Sequence, residues 1–117
     1  MEYNSNFKYD LKEGKLKGET KFHKMLSNSK IEVKFDRKTR ETGNVYIEYE
    51  SREKPSGIRT TEADYWTYFT HDDECFTIST KKLKEKIIKL KPRRVPGGDN
   101  NSSMGFLIKL TDLMGEK

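Results

Sequence analysis

Two alternating runs, KIEVKFD at residues 30–36 and NVYIEYE at residues 44–50, dominate the fold that this sequence predicts. Successive side chains of a strand point to opposite faces of a sheet, so each run predicts a strand with an apolar and a charged face. The apolar faces consist of Ile31, Val33 and Phe35 in the first run and of Val45, Ile47 and Tyr49 in the second.

An antiparallel hairpin with Lys34 opposite Glu48 is the pairing that puts both apolar faces on the core. The charged face then gathers the carboxylates of Glu32, Asp36, Glu48 and Glu50 around Lys34. Carboxylates this close repel one another unless a cation offsets their charge. The pattern therefore indicates either a cation site on this hairpin or an ordinary amphipathic hairpin with its charged face in water.

The composition predicts one domain over residues 1–117, with residues 1–9 as a flexible arm or a short strand. Only 32% of the residues are hydrophobic while 37% are charged. We expect a small core, covered by the aliphatic stems of long charged side chains.

The net charge of +5 is unevenly distributed, since residues 79–94 hold eight Lys or Arg against one Glu. A polyanion is therefore a reasonable partner. The segment between the two runs is also basic, and phosphates bound there would bring a nucleic-acid backbone over the carboxylates, although a solvated basic loop is the alternative. The candidate DNA-binding residues are Arg37, Lys38, Arg40, Lys81, Lys82, Arg93 and Arg94.

A single cysteine, Cys75, excludes an internal disulfide, and with only two histidines the chain is a poor candidate for a zinc finger. No apolar run reaches membrane-spanning length, and the first residues lack a signal-peptide profile. We expect a soluble protein of a reducing compartment such as the cytoplasm, with no membrane partner.

The remaining segments predict further elements around the two runs. Asp10 and Glu13 match a capping box at the start of a helix that carries Glu19 and ends at residues 27–29. The other predicted elements are a short helix capped by Thr60 or Thr61, a hairpin of residues 66–70 and 75–78, a helix at 81–91 capped by Ser79 or Thr80 and stopped by Pro92, a loop at 93–103, and a strand at 104–110. Together they predict an α+β fold, an α/β sandwich around one sheet.

The aromatic residues Tyr65, Trp66, Tyr68 and Phe69 fall in a strand-like run. We expect them in the core or in a dimer interface rather than as platforms for stacked bases.

Glu32, Val33 and Lys34 spell the ExK half of the PD-(D/E)XK nuclease signature, and a helix followed by a hairpin resembles the start of that fold. The resemblance extends in order over roughly residues 9–110 and is closest to small phage-encoded proteins of this superfamily. Its segments are residues 31–36, 41–44, 47–50, 56–58, 61–66, 97–99 and 105–108. It implies a restriction-endonuclease-like or Holliday-junction-resolvase-like core, with one mixed sheet flanked by helices.

The resemblance implies hydrolysis of DNA phosphodiester bonds with Mg²⁺ or Mn²⁺, in the host cytoplasm if the protein is phage-encoded. Hard cations prefer carboxylate oxygen and activate water for attack on phosphorus. The implied metal ligands are Asp36, Glu48 and Glu32, with Lys34 as the catalytic lysine and Glu19 as a contributor from the helix.

One departure from the superfamily pattern concerns its first acid, the acidic residue on a preceding strand that supplies the first metal ligand. Residues 27–30 hold no carboxylate at that place. Either Asp10 or Glu19 replaces it, or the site is permuted within the hairpin. In the permuted site Asp36 is the first acid and Glu48 the second, with Lys34 beside them. Glu50 and Glu32 compete for the remaining role.

Two other functions compete with the nuclease. A nuclease-like domain that has lost a ligand would bind DNA without cutting it, and a structural or host-interaction protein would use the hairpin only as an amphipathic element. Small nucleases that cut both strands often do so as symmetric dimers, so a homodimer is also expected.

Overall fold

The computed structural model describes residues 15–115. Four α-helices and seven β-strands lie in this range. The helices are α1 (Thr20–Asn28, preceded by a π-helical turn, Lys15–Glu19), α2 (Arg37–Thr42), α3 (Thr80–Leu90) and α4 (Leu110–Met114). The strands are β1 (Ile31–Phe35), β2 (Asn44–Ser51), β3 (Lys54–Pro55), β4 (Tyr65–His71), β5 (Glu74–Ser79), β6 (Arg93–Gly97) and β7 (Ser103–Lys109). Short 3-10 turns occur at Gly57–Arg59 and Asp99–Asn101.

The described strands form two sheets, so the α+β class is confirmed but the expectation of one sheet is wrong. The first sheet has the order β1-β4-β5, with β1 parallel to β4 and β4 antiparallel to β5. The second has the order β3-β2-β7-β6 and is antiparallel throughout.

The predicted hairpin of the two alternating runs is also wrong, because β1 and β2 belong to different sheets. Lys34 lies beside Tyr68 of β4, and Glu48 lies beside Gly105 of β7. The two runs are strands, but neither is the other's partner.

The segment between β1 and β2 explains this outcome, since it folds as α2 instead of a hairpin loop. The Asp36 side chain caps the helix by accepting the Thr39 N–H at 3.3 Å. Gly43 ends it with a φ of 76°, a conformation that glycine adopts without strain. A helix of six residues cannot serve as a tight turn, so the chain leaves the first sheet and enters the second.

The two faces of β1 are oriented opposite to the expectation. In the parallel register Glu32 and Lys34 share a face with the buried Trp66 and Tyr68. The apolar residues point the other way, and Val33 is 59% exposed. The charged face of β1 therefore lies on the same side of the sheet as Trp66 and Tyr68, and its apolar face lies on the other side.

The core combines side chains from both sheets with the helices that cover them. In β2 the expected face is buried, since Val45 and Ile47 are fully inaccessible. Of the four aromatic residues expected in the core or a dimer interface, Trp66 and Tyr68 are buried in the core, while Tyr65 and Phe69 are half-buried. The core residues are Val45, Ile47, Ile58, Trp66, Tyr68, Ile78, Leu83, Ile108 and Leu113.

One lysine is buried beside this core. Lys86 of α3 is only 4% exposed. Its Nζ donates to the backbone oxygen of Asp112 at 2.8 Å and to that of Gly115. The ammonium group thereby fixes the end of α4 to α3.

Most of the other predicted elements are confirmed. The hairpin of β4 and β5 is present, α1 ends at Asn28, and α3 is capped by Ser79, whose Oγ accepts the Lys82 N–H at 3.1 Å. The strand predicted at 104–110 is β7. The capping box at Asp10 and the arm at residues 1–9 lie outside the described residues.

Two local predictions are wrong. The short helix after Thr60 is absent, because Thr60 instead ends the 3-10 turn Gly57–Arg59. The predicted loop at 93–103 contains β6, which pairs with β7 despite Pro96 because β6 is an edge strand. Among residues 15–115, no helix has the length and apolar character needed to cross a membrane.

Candidate active-site cleft

The two sheets enclose a cleft of about 490 Å³. The end of β1 and the start of α2 contribute to its lining, as does the outward face of β2 with the end of β6. Residues far apart in the sequence therefore meet in one concave site. The lining includes Lys34, Asp36, Lys38, Tyr46, Glu48, Trp66, Tyr68, Gly97 and Gly98.

Lys34 comes to the cleft from β1 together with an acidic neighbour. Its Nζ lies 3.2 Å from Oε1 of Glu32, two residues earlier on the same face of the strand. Both side chains are nearly half exposed, so the ion pair contributes at most about 1 kcal/mol to stability. Glu32 is not among the residues that line the cleft, and its carboxylate acts on Lys34 instead.

Asp36 ties the first sheet to the second. While Oδ1 caps α2, Oδ2 accepts the backbone N–H of Tyr46 in β2 at 3.3 Å. An ionised carboxylate offers about four acceptor sites, so these two bonds leave further acceptor capacity at Asp36. The same bonds hold Asp36 against the strand that carries Glu48.

Glu48 stands on β2 where the strand is irregular. The pairing with β7 shifts between Glu48 and Glu50, which marks a β-bulge. The hydroxyl of Ser56 donates to Oε2 of Glu48 at 2.7 Å. Glu48 thus reaches the cleft with one carboxylate oxygen already bonded, whereas Glu50 is not among the lining residues.

Tyr46 forms part of the cleft wall beside Glu48. Its hydroxyl and that of Ser103 are 2.7 Å apart. Burial raises the pKa of Tyr46, the Ser103 hydrogen bond lowers it, and the charge of Glu48 adds to the rise. The ring occupies space left by two glycines, since a Cβ on Gly97 or Gly105 would lie 2.6 or 2.5 Å from it.

Two buried aromatic residues line the cleft from β4. Within the described part of the chain, the Trp66 Nε1 and the Tyr68 hydroxyl have no hydrogen-bond partner. Burial raises the pKa of Tyr68 strongly, and the charges of Asp36 and Glu32 raise it further. The phenol therefore stays protonated at neutral pH, and the negative charge of Asp36 in the cleft lining favours this protonated form.

The predicted DNA-binding residues lie on two parts of the surface. The basic residues of α2 adjoin the cleft: Lys38 lines it, and the Arg37 guanidinium lies 5.3 Å from the ring centroid of Phe35. The predicted DNA-binding residues of the segment 79–94 do not line the cleft. This second group comprises Lys81 and Lys82 on α3, and Arg93 and Arg94 on β6, where Arg94 lies over the rings of Tyr49 and Phe106.

Arg40 is exposed on α2, and Glu19 is exposed in the π-helical turn before α1. Neither lines the cleft. The structure therefore brings Lys34, Asp36 and Glu48 together, while Glu32 reaches the site only through Lys34.

The donor set of the cleft suits a magnesium-like ion with few protein ligands. No group of three or more His, Cys, Asp or Glu able to hold a metal occurs in residues 15–115. Two carboxylates, those of Asp36 and Glu48, line the cleft. Mg²⁺ is commonly held by one or two carboxylates, with water and substrate phosphates completing its shell. The chemistry of the residues present therefore fits Mg²⁺ or Mn²⁺.

Comparisons of the chain with protein-family models, curated proteins and solved structures found no match. The geometry of the cleft is thus the basis for assigning a function.

Sequence reasoning missed several residues that shape the site. The N-cap role of Asp36 had a signal, because Asp36 and Gly43 bracket a segment that can form one short helix. Residues 56–58 are among the segments that carry the resemblance, but no sequence pattern placed Ser56 or Gly57 beside Glu48. The glycines that make room for the Tyr46 ring come from β6 and β7, so they are not visible in its own strand.

Proposed function

We propose that this chain is a metal-dependent endodeoxyribonuclease, related to the phage proteins of the PD-(D/E)XK superfamily that its sequence resembles, and that its cleft is the active site. The observation that carries the proposal is the convergence of Lys34, Asp36 and Glu48. Lys34 and Glu48 come from two different sheets, Asp36 directly follows β1, and all three line one cleft. A lysine beside two carboxylates suits hydrolysis of a phosphodiester.

Within this proposal Asp36 and Glu48 hold Mg²⁺ or Mn²⁺. When bound, such an ion supplies an activated water and stabilises the charge that develops on phosphate oxygens. The ammonium group of Lys34 stabilises the same charge or orients the attacking water. Glu32 keeps that ammonium in place, since its carboxylate lies 3.2 Å from Nζ.

DNA reaches the cleft through the basic residues of α2. Lys38 lies in the lining itself, and Arg37 and Arg40 stand on the same short helix. Contacts of this kind with phosphates are independent of base sequence and weaken as salt rises. The second basic group, on α3 and β6, offers a further contact with the backbone beyond the cleft. A symmetric dimer, which would present two clefts to the two strands of a duplex, is part of the same proposal.

Cleavage of supercoiled plasmid and of branched DNA tests the proposal. The wild-type protein should cut with Mg²⁺ or Mn²⁺ and not with EDTA. The variants Glu48→Gln, Asp36→Asn and Lys34→Met should each lose about 100-fold or more of the rate, the range expected for acid-base and electrostatic groups. Asparagine at residue 36 retains one acceptor for the helix cap, which alanine would remove, although its amide nitrogen cannot accept the Tyr46 N–H.

The control is Glu41→Gln, which removes a carboxylate from an exposed position on α2 outside the cleft. It should cut DNA like the wild type. Cutting in EDTA, or full activity in Glu48→Gln, would contradict the proposed site.

A DNA-binding module without catalysis is the second candidate. It is favoured by the hydrogen bonds of Asp36, because both carboxylate oxygens already accept backbone N–H groups. This candidate predicts retardation of DNA on a gel with no cutting of either substrate in any metal. It also predicts that Lys38→Ala weakens binding while Glu48→Gln does not.

A further inference from the structure

We infer that Ser56 is a positioning residue that orients the Glu48 carboxylate in the cleft, an inference that rests on the function proposed above. The hydroxyl of Ser56 donates to Oε2 of Glu48 at 2.7 Å. A hydrogen bond to an ionised carboxylate is short and about twice as strong as a neutral one. One oxygen of Glu48 is therefore fixed by a residue eight positions later in the chain.

The backbone of Ser56 is held on both sides, which keeps its side chain within reach of Glu48. The N–H of Ser56 donates to the Tyr49 carbonyl at 3.1 Å, and its own carbonyl accepts the Arg59 N–H at 3.1 Å. Two residues later, Ile58 is buried in the core. The segment is thus attached to β2 at one end and to the core at the other.

Gly57 allows this segment to approach Glu48. It has a φ of +55°, and a Cβ built on it would lie 2.1 Å from the backbone oxygen of Glu48. No side chain fits at that distance. The glycine lets the backbone lie directly against β2, and this contact places the preceding serine beside the Glu48 side chain.

The strand on the other side of β2 leaves the Glu48 carboxylate without a second partner. Glu48 is paired with Gly105 of β7, which offers no side chain that could bond to the carboxylate. Among the described residues, the hydrogen bond from Ser56 is the one formed with the Glu48 carboxylate, and it uses Oε2. Oε1 is left to accept from a ligand in the cleft. Ser56 therefore fixes the carboxylate and leaves its other oxygen open.

Binding of Mn²⁺ to the full chain, followed by the electron paramagnetic resonance of the free ion, tests this role without any need for catalysis. Ser56→Ala should raise the Kd for Mn²⁺ about tenfold, the lower end of the effect of losing a partner that orients a metal ligand. Ser56→Thr keeps the hydroxyl and suits the extended backbone at this position, so it should restore binding. Ser27→Ala, at an exposed position on α1, is the matched control and should bind as the wild type does.

A double-mutant cycle separates positioning from a general loss of structure. If Ser56 acts through Glu48, then Ser56→Ala should change nothing further in a Glu48→Gln background. Thermal unfolding of each variant shows whether it is folded, and Ser56→Thr provides the folded comparison if Ser56→Ala is unstable.

Each outcome has a distinct meaning. The inference is supported if Ser56→Ala binds Mn²⁺ weakly, Ser56→Thr binds it as the wild type does, and Ser56→Ala has no further effect in the Glu48→Gln background. Unchanged binding in Ser56→Ala, with weakened binding in Glu48→Gln, overturns the role of Ser56 and leaves the metal site intact. A wild-type protein that binds no Mn²⁺ overturns the metal-dependent function, and the inference with it.

Discussion

At the scale of single residues, several positions in this protein serve structure and site together. Asp36 caps α2, bonds to the backbone of Tyr46 and lines the cleft. Glycines 57, 97 and 105 have a comparable double role, because each allows the close approach of a group that forms or supports the cleft. We expect substitutions at such positions to lower the stability of the fold as well as to alter the cleft.

Gly57→Ala should therefore be far more destabilising than Gly43→Ala. Both glycines have positive φ, where a side chain costs about 1–2 kcal/mol. At Gly43 a Cβ meets nothing within 4 Å, whereas at Gly57 it collides with the Glu48 backbone. We expect about 1–2 kcal/mol for Gly43→Ala and about 3 kcal/mol or more for Gly57→Ala in urea unfolding. Equal losses would show that the segment moves away from β2 without penalty.

At the scale of elements, the alternating pattern predicted each strand but not its partner. Period-two alternation reports which residues share a face, and it contains no information about the neighbouring strand or about which face is covered. β1 pairs with β4, and β2 pairs along most of its length with β7; both partners follow much later in the chain. The local signal that decides the pairing is the pair of helix caps, Asp36 and Gly43. They define α2, which carries the chain from the first sheet to the second.

The site was predictable to a similar degree. Alternation put Lys34, Asp36 and Glu48 on one charged face, the resemblance gave them their roles, and the structure places all three in the lining of one cleft. Their arrangement was not predictable, because the expected hairpin would have placed them side by side on one surface. Ser56 and Tyr46 depend on contacts between elements that no local pattern encodes.

Val33 and Val45 provide a direct test of the reversed orientation of β1. The sequence pattern treats both as core valines, yet Val33 is 59% exposed and Val45 is 0% exposed. Val33→Thr should change the free energy of unfolding by no more than about 0.5 kcal/mol. Val45→Thr buries a hydroxyl and should be destabilising by about 1–3 kcal/mol. If Val33→Thr were as costly as Val45→Thr, the apolar face of β1 would be covered in solution.

At the scale of the whole molecule, the cleft exists because β1 and β2 lie in separate sheets. Had they paired, Lys34 and Glu48 would share one flat surface open to water. Their separation gives the cleft walls, and one wall includes the buried ring of Tyr68, which also belongs to the core. Because burial raises the pKa of that phenol, its ionisation is expected to affect unfolding of the whole molecule.

Tyr68→Phe should make the protein less sensitive to alkaline pH. Because burial raises the pKa of Tyr68 in the folded state, the phenol of the unfolded chain loses its proton first, at about pH 10. The free energy of unfolding should be at its full value below that pH and fall as pH rises above it. The variant lacks this ionisation, and at neutral pH it should be at least as stable as the wild type, since it removes a buried hydroxyl without a partner. Urea unfolding at pH 7 and pH 11 measures both effects, and an identical alkaline loss in the two proteins would exclude Tyr68 as a cause.

The buried lysine of α3 has a consequence for how the protein is made. The carbonyl oxygens that receive the Lys86 ammonium belong to residues 26 and 29 positions later in the chain. During synthesis α3 therefore emerges from the ribosome before those acceptors exist. Until they arrive, burying the lysine would leave its charge without these partners, which is strongly unfavourable. The packing of Lys86 against α4 is thus complete only after α4 has been synthesised.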